Sequence, residues 1–349
     1  MVLLGSVTFI AASESPPVRS TQKAGAATSH TTGHLNEPGA ATGASSTTTT
    51  ASRSTTTTTS SGQQKPVTSP GSGHAGPPHV MVVMMENKNY SEVIGQVDQP
   101  FTNSLATHGG LATQSFSMVT GSLPNYLALV SGSTQNDTDN VTPSQKAFPN
   151  TPTLADQLTS AGFSAKAYAE DFPADPTNNS GLYDVIHFPW PYFPNTQISV
   201  ADASSLVSDL NSASPPDFIW YTPNLTDDED AGTVQQGDAF LSSLIPQVQA
   251  TSWYKAGSQI IIEWDESSNG TSGINGGTGG GWIPTIVVST SLTANPQQDS
   301  TPVDTVGILR SIEDTYGLPH LGGSAADGNI DALLTTTTRA TTTTTRATR

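Results

Sequence analysis

Apolar residues fall along the middle of the chain in short unbroken runs, set between stretches where they recur every three or four positions. The runs "HVMVVMM", "GLATQSFSM", "SAKAYAE", "DFIWYTP", "SQIIIEW" and "WIPTIVVST" read as strands, and several lack the polar alternation of a half-exposed strand. The stretches "PFTNSLATHG", "LPNYLALVSG", "TPTLADQLTSAG", "ADASSLVSDLNS", "DAFLSSLIPQVQAT" and "PVDTVGILRSIEDTYG" read as amphipathic helices. Buried strands alternating with helices predict an α/β fold: a mostly parallel central sheet with helices on both faces. In such sheets ligands collect beyond the carboxyl ends of the strands.

Residues 13–77 and 335–349 lack this pattern; they are Ser, Thr, Gly, Ala and Pro, including "SSTTTTASRSTTTTTSS". Segments with so little to bury are predicted to be disordered tethers. Residues 1–12 form a short apolar run ending in small residues, similar to the h-region and cleavage zone of a truncated signal peptide, which predicts a secreted or extracytoplasmic protein. The run is too short to span a bilayer, so stable membrane insertion is not expected. Residues 78–334 remain as the folded body.

Charge narrows the partners. That body carries 27 acids against 5 bases, Lys88, Lys146, Lys166, Lys255 and Arg310, a net of -22. Nucleic acid and anionic membranes need Lys and Arg to replace counterions, so neither is an expected partner. An anionic small substrate would need its positive partner from elsewhere, and a bound cation is the natural source. The chain has no cysteine, which removes disulfides and thiol chemistry.

Two predicted strands stop on carboxylates. "HVMVVMM" runs into Glu86 and Asn87, and "SQIIIEW" runs into Asp265 and Glu266. Either pair alone could be a helix cap or a loop acid. Together, at one rim of a parallel sheet, they form an all-oxygen set suited to a hard divalent metal ion. "VTGSLPNYLALVSG" adds Ser122 at the start of a helix, either as an N-cap or as a nucleophile whose pKa a metal would lower. Thr120 is its weaker rival. His187, in the aromatic loop "YDVIHFPWPYF", could donate to a phosphoryl oxygen or protonate a leaving group. His108 and His320 read as surface residues. The run Asp227, Asp228, Glu229 and Asp230 reads as a solvated acidic loop, with a second cation site as the alternative.

In this order "MMENKNYSEVIG", "SLPNYLALVSG", "IHFPWPYF", "IWYTPNL", "IIIEWDE" and "GILRSIEDTYGL" resemble the motifs of the bacterial acid phosphatase and phospholipase C phosphoesterase family, within the alkaline-phosphatase-like superfold. The resemblance covers residues about 79 to 322. It implies metal ligation by Glu86, Asn87, Ser122, Asp265 and Glu266, a Ser122 nucleophile that becomes phosphorylated, and His187 as a phosphate-side partner. Four histidines usual in that family are replaced, by Thr120, Asp230, Trp282 and Thr305. The expectation is a secreted, metal-dependent acid phosphatase acting on small phosphate monoesters through a phosphoserine. A phospholipase C-type phosphodiesterase and a catalytically weakened phosphate-binding relative are the alternatives.

Overall fold

The computed structural model describes residues 79–334 apart from 139 and 256; the predicted signal peptide and both Thr-rich tethers lie outside the described residues. Nine strands make one sheet: β1 (His79–Met85), β2 (Gly110–Ser117), β3 (Ala165–Ala169), β4 (Ser199–Asp202), β5 (Phe218–Thr222), β6 (Ser258–Trp264), β7 (Gly281–Ser289), β8 (Gln297–Asp299) and β9 (Val303–Asp304). The helices are α1 (Tyr90–Val93), α2 (Pro100–His108), α3 (Ser122–Ser131), α4 (Leu154–Ala161), α5 (Leu206–Leu210), α6 (Val234–Gln249), α7 (Thr290–Ala294) and α8 (Thr305–Tyr316).

The strand order is β4-β3-β5-β1-β6-β7-β2-β8, with β9 also beside β2. Every pairing is parallel except those of β7, which runs antiparallel to both β6 and β2. The sheet is therefore mixed but mostly parallel, with β1 and β6 side by side near its centre.

The unbroken apolar run of β1 follows from this position. Val80, Val82 and Met84 face a core built with α3, α4 and α8, while Met81, Val83 and Met85 face a second core built with α2 and α6. Both faces are buried, so both alternate sets must be apolar. Each fully buried Val or Met contributes about 1.5–3 kcal/mol of transfer free energy.

The expected helix over 201–212 is a different structure. Its start is edge strand β4, and Asp202 then accepts a hydrogen bond from the Ser204 amide to open a single 3-10 turn before the short α5. The β-branched Val200 and the capping Asp202 favour strand and turn there, and pairing with β3 decides the matter. By contrast α6 begins at Val234, ahead of the expected start, because Thr233 and Gln236 form a capping box.

Candidate active site

In register, Met85 of β1 lies opposite Trp264 of β6, so the residues that follow, Glu86 and Asp265, emerge side by side. The Asp265 amide donates to the Met85 carbonyl at 3.0 Å and seals this junction. The chain beyond β5 returns to the same place, where the Glu86 amide donates to the Asp228 carbonyl at 2.8 Å. Over the rim stands α3, all ten of whose residues are buried. Gly121, at φ +108°, is its N-cap, a conformation side chains disfavour. Ser122 is thus the first helical residue rather than the cap, and its hydroxyl is free for another use.

That use is Glu86. The Ser122 hydroxyl donates to Glu86 Oε2 at 3.1 Å, and the Tyr126 hydroxyl, one helical turn on, donates to Oε1 at 2.5 Å. The Asn87 side chain donates to Glu86 Oε2 at 3.0 Å and to Asp230 Oδ1 at 2.8 Å. The Asn87 amide, on backbone held at φ +50°, donates to Asp265 Oδ1 at 3.1 Å. The other oxygen, Asp265 Oδ2, is buried with no hydrogen-bond partner. Glu266 Oε2 accepts from the Gly121 amide at 2.7 Å, which joins the end of β6 to the start of α3. The structure thus brings Glu86, Asn87, Ser122, Asp265 and Glu266 together at one rim.

His187 packs beside Glu86. It is 2% exposed, its Nε2 is 3.4 Å from Glu86 Oε1, and its Nδ1 is 3.2 Å from Asp228 Oδ2. Its ring stacks on Tyr126, with centroids 5.5 Å apart. Nδ1 is hydrogen-bonded to Asp228, while Nε2 lies toward Glu86. Burial disfavours its charged form, but the hydrogen bond and charge of Asp228 outweigh this and raise its pKa.

The expectation of a solvated acidic loop is corrected. Asp228 and Glu229 are fully buried, and only Asp230 of the four is exposed. Asp228 holds His187, while Glu229 accepts from the Trp264 indole at 3.1 Å and is pushed up to about 8, chiefly by burial. Sequence reasoning missed Asp228 and Tyr126 as members of the site. An acid inside a run of acids reads as solvated, and a Tyr inside an apolar helix reads as core. Only the spacing of Tyr126 four residues after Ser122, on one helical face, was a usable signal.

Of the substituted positions, Thr120 is exposed, and Trp282 is half-buried with its ring stacked on Tyr90 at 4.1 Å. Thr305 is buried at the start of α8. His108 and His320 remain near the surface, His320 paired with Asp314 at 2.9 Å. Of two hollows of about 350 and 360 Å³, one is lined by residues including Asn103, Leu111 and Gln297 and the other by residues including Lys88, Glu92 and Val234; neither is lined by Ser122 or Glu86.

Charge crowds this site. Glu86 is raised well above the ordinary carboxyl range by burial and then by the charges of Asp265 and Asp228. Burial likewise raises Asp265, and it lifts Glu266 to about 7 with help from Asp265. Among the described residues no three His, Asp or Glu side chains already surround one point as a metal cage. The donor set nevertheless suits a hard cation: its members offer oxygens, Asn87 through its amide carbonyl, its carboxylates repel one another, and it includes Asp265 Oδ2, which accepts no hydrogen bond from a donor.

The central, mostly parallel sheet is shared with solved structures. A protein of the alkaline phosphatase superfamily from Vibrio parahaemolyticus shares this fold with a TM-score of 0.51, at 12% identity, over 72% of this chain and 70% of its own. Residues 96–319 match the Phosphoesterase family, and the chain belongs to it. It is a hydrolase of phosphoric ester bonds. The phosphatidylinositol-3-phosphatase of Mycobacterium tuberculosis is 32% identical over 250 residues, 70% of this chain and 78% of that one. A probable acid phosphatase of Kluyveromyces lactis is 24% identical over 74% of this chain, which spans 63% of the fungal protein. Glu86 and Asn87 precede the segment that matches the family.

Proposed function

We propose that the protein is a metal-dependent acid phosphatase that hydrolyses phosphate monoesters through a phosphoserine at Ser122, outside the cytoplasm. The observation that carries this is the Ser122 hydroxyl donating to Glu86 at 3.1 Å beside Asp265 and Glu266. Glu86, Asn87, Ser122, Asp265 and Glu266 would hold a divalent cation. When bound, it would lower the pKa of the serine hydroxyl and offset charge on the phosphoryl group, a contribution of roughly several kcal/mol.

The chain's own residues supply orientation. Glu86 takes the direction of the Ser122 proton, which leaves the oxygen's lone pairs for phosphorus. As Oγ bonds to phosphorus the Ser122 proton passes to Glu86 and the phosphorus–ester oxygen bond breaks; the departing alcohol oxygen takes a proton from solvent, and water later attacks phosphorus, releasing inorganic phosphate and returning a proton to Ser122 Oγ. Tyr126, His187 and Asp228 are positioning residues that hold Glu86 in place. The relative named for a phosphatidylinositol-3-phosphatase supports a monoester in preference to a diester. The apolar run at residues 1–12 supports an extracytoplasmic location. No helix among the described residues is long and apolar enough to cross a membrane.

The test is hydrolysis of p-nitrophenyl phosphate by wild type and Ser122→Ala, with and without a chelator. The expected result is activity that chelation abolishes and that the substitution lowers by about a thousandfold or more, the order that loss of a nucleophile costs. Activity that survives Ser122→Ala would move the attack to Thr120 or to water.

A further inference from the structure

The helix that carries Ser122 is capped from outside itself. Its N-cap, Gly121, has no side chain, so it offers no acceptor to the amides of the first turn. Asn140 supplies one: its Oδ1 accepts from the amide of Leu123, the residue next to Ser122, at 3.2 Å. Asn140 reaches this point from the loop that follows α3, and its neighbours in that loop are tied down. Asp137 is buried and pairs with Lys146 at 3.3 Å, and the buried Tyr192 hydroxyl donates to the Val141 carbonyl at 2.5 Å. Asn140 itself is exposed, and its Nδ2 has no hydrogen-bond partner among the described residues.

The other nitrogen donors around Ser122 are committed. The Gly121 amide donates to Glu266, the Asn87 amide to Asp265, and the Asn87 carboxamide to Glu86 and Asp230. Asn125, in the first turn of α3, donates to the Val119 and Gly121 carbonyls. His187 is buried, with Nδ1 on Asp228. The cationic side chains are turned elsewhere. Lys88 donates to the Glu229 carbonyl at 2.9 Å, Lys166 to Asp209 at 2.6 Å, and Arg310 to the Asp327 carbonyl at 2.8 Å. Lys146 is held by Asp137, and Lys255 precedes β6, at the end of the sheet opposite the rim. A phosphoryl group at Ser122 spreads negative charge over its non-bridging oxygens, and a fixed N–H aimed at them stabilises the transition state most, where that charge develops.

We propose that Asn140 is a catalytic residue: its Nδ2 donates to a non-bridging phosphoryl oxygen at Ser122, while its Oδ1 holds the first turn of α3. The proposal rests on the reading of Ser122 as the phosphoryl acceptor. One planar carboxamide thereby ties the helix that carries the nucleophile to the group that the nucleophile attacks. Substitution separates the two roles. Asn140→Asp keeps an acceptor for the Leu123 amide and exchanges the N–H for a negatively charged oxygen, whereas Asn140→Ala loses both.

The experiment measures p-nitrophenyl phosphate hydrolysis, inhibition by orthovanadate and Tm for the full chain as wild type, Asn140→Asp, Asn140→Ala and Ser122→Ala. Orthovanadate is the probe because it mimics the five-coordinate phosphorus of the transfer step. In Asn140→Asp, Tm is expected to hold, while kcat/KM and vanadate affinity each fall about a hundredfold, the loss usual for one transition-state donor. In Asn140→Ala the same losses are expected, with a lower Tm from the missing cap. A purely structural Asn140 would give the opposite split, with normal kinetics in Asn140→Asp and a deficit in Asn140→Ala alone. Kinetics of either variant within about threefold of wild type would overturn the proposal, as would a fall in kcat/KM with vanadate affinity unchanged. If Asn140→Ala does not fold, Asn140→Asp decides alone. Ser122→Ala keeps the two readings apart. Activity that survives it removes the nucleophile and this proposal together, whereas its loss beside full activity in Asn140→Asp removes Asn140 alone.

Discussion

At the residue scale the candidate site is a buried chain of contacts, Asp228 to His187 to Glu86 to Ser122, of which the last step reaches the rim. Each member constrains the next, so a change two contacts away from the serine should be felt there. In Asp228→Asn the ionic partner of His187 is lost, and the imidazole pKa should fall, because the hydrogen bond and charge of Asp228 are what raise it against burial. With Glu86 less firmly held, kcat/KM for a monoester is expected to drop by roughly tenfold to a hundredfold, the usual cost of losing an outer orienting partner. NMR titration of His187 alongside steady-state kinetics checks this. Unchanged titration with unchanged kinetics would reduce Asp228 to an ordinary buried acid.

At the element scale, α3 decides where the serine stands, and glycines set both of its ends. Gly121 opens it and Gly132 closes it, at φ +72° in the left-handed region. A Cβ at Gly132 would lie 2.2 Å from the Leu321 carbonyl oxygen, a backbone atom that cannot turn aside. Gly132→Ala should therefore cost about 2 kcal/mol or more, combining left-handed strain with a backbone clash. Urea unfolding measures it; a loss within a few tenths of a kcal/mol would mean that the loop after α8 moves freely. The elements that carry the site were also the most legible in sequence. The runs that became β1 and β6 matched the structure at both ends, since buried parallel strands leave no polar alternation to misread. The 201–212 segment was not legible, because its apolar spacing fits a helix equally well and only pairing with β3 makes a strand of its start.

At the scale of the whole molecule, buried acids set the response to pH. Glu229 is pushed to about 8, Glu170 to about 7 and Asp304 to about 6, in each case first by burial. These groups hold protons in the folded state that the unfolded chain has already released, so the folded state binds more protons from about pH 4 to pH 8. Where the folded state binds more, stability falls as pH rises. The chelator-treated protein is thus expected to be more stable at pH 5 than at pH 8, with urea denaturation at the two values as the measurement. Divalent cations should reduce the difference by favouring ionised carboxylates, and greater stability at pH 8 without cations would contradict the assignment.

The sequence by itself determined the layers of the fold and the strand-end positions of Glu86, Asn87, Asp265 and Glu266. Strand runs that end on Glu86 and Asn87, and on Asp265 and Glu266, point to one edge of a parallel sheet wherever the helices go, because side-chain period and strand direction are local properties. Ser122 was legible for the same reason, as the residue that opens a helix. Tertiary structure alone decided the rest. That β7 runs antiparallel depends on which edge the chain returns to, and no local pattern records it. That Asp228 is buried while Asp230 is exposed depends on how the loop after β5 folds back onto Glu86. That His187 faces Glu86 and Asp228 follows from two segments packing against each other. Charge and burial of a single acid are set by what surrounds it in space, and only the folded chain supplies those surroundings.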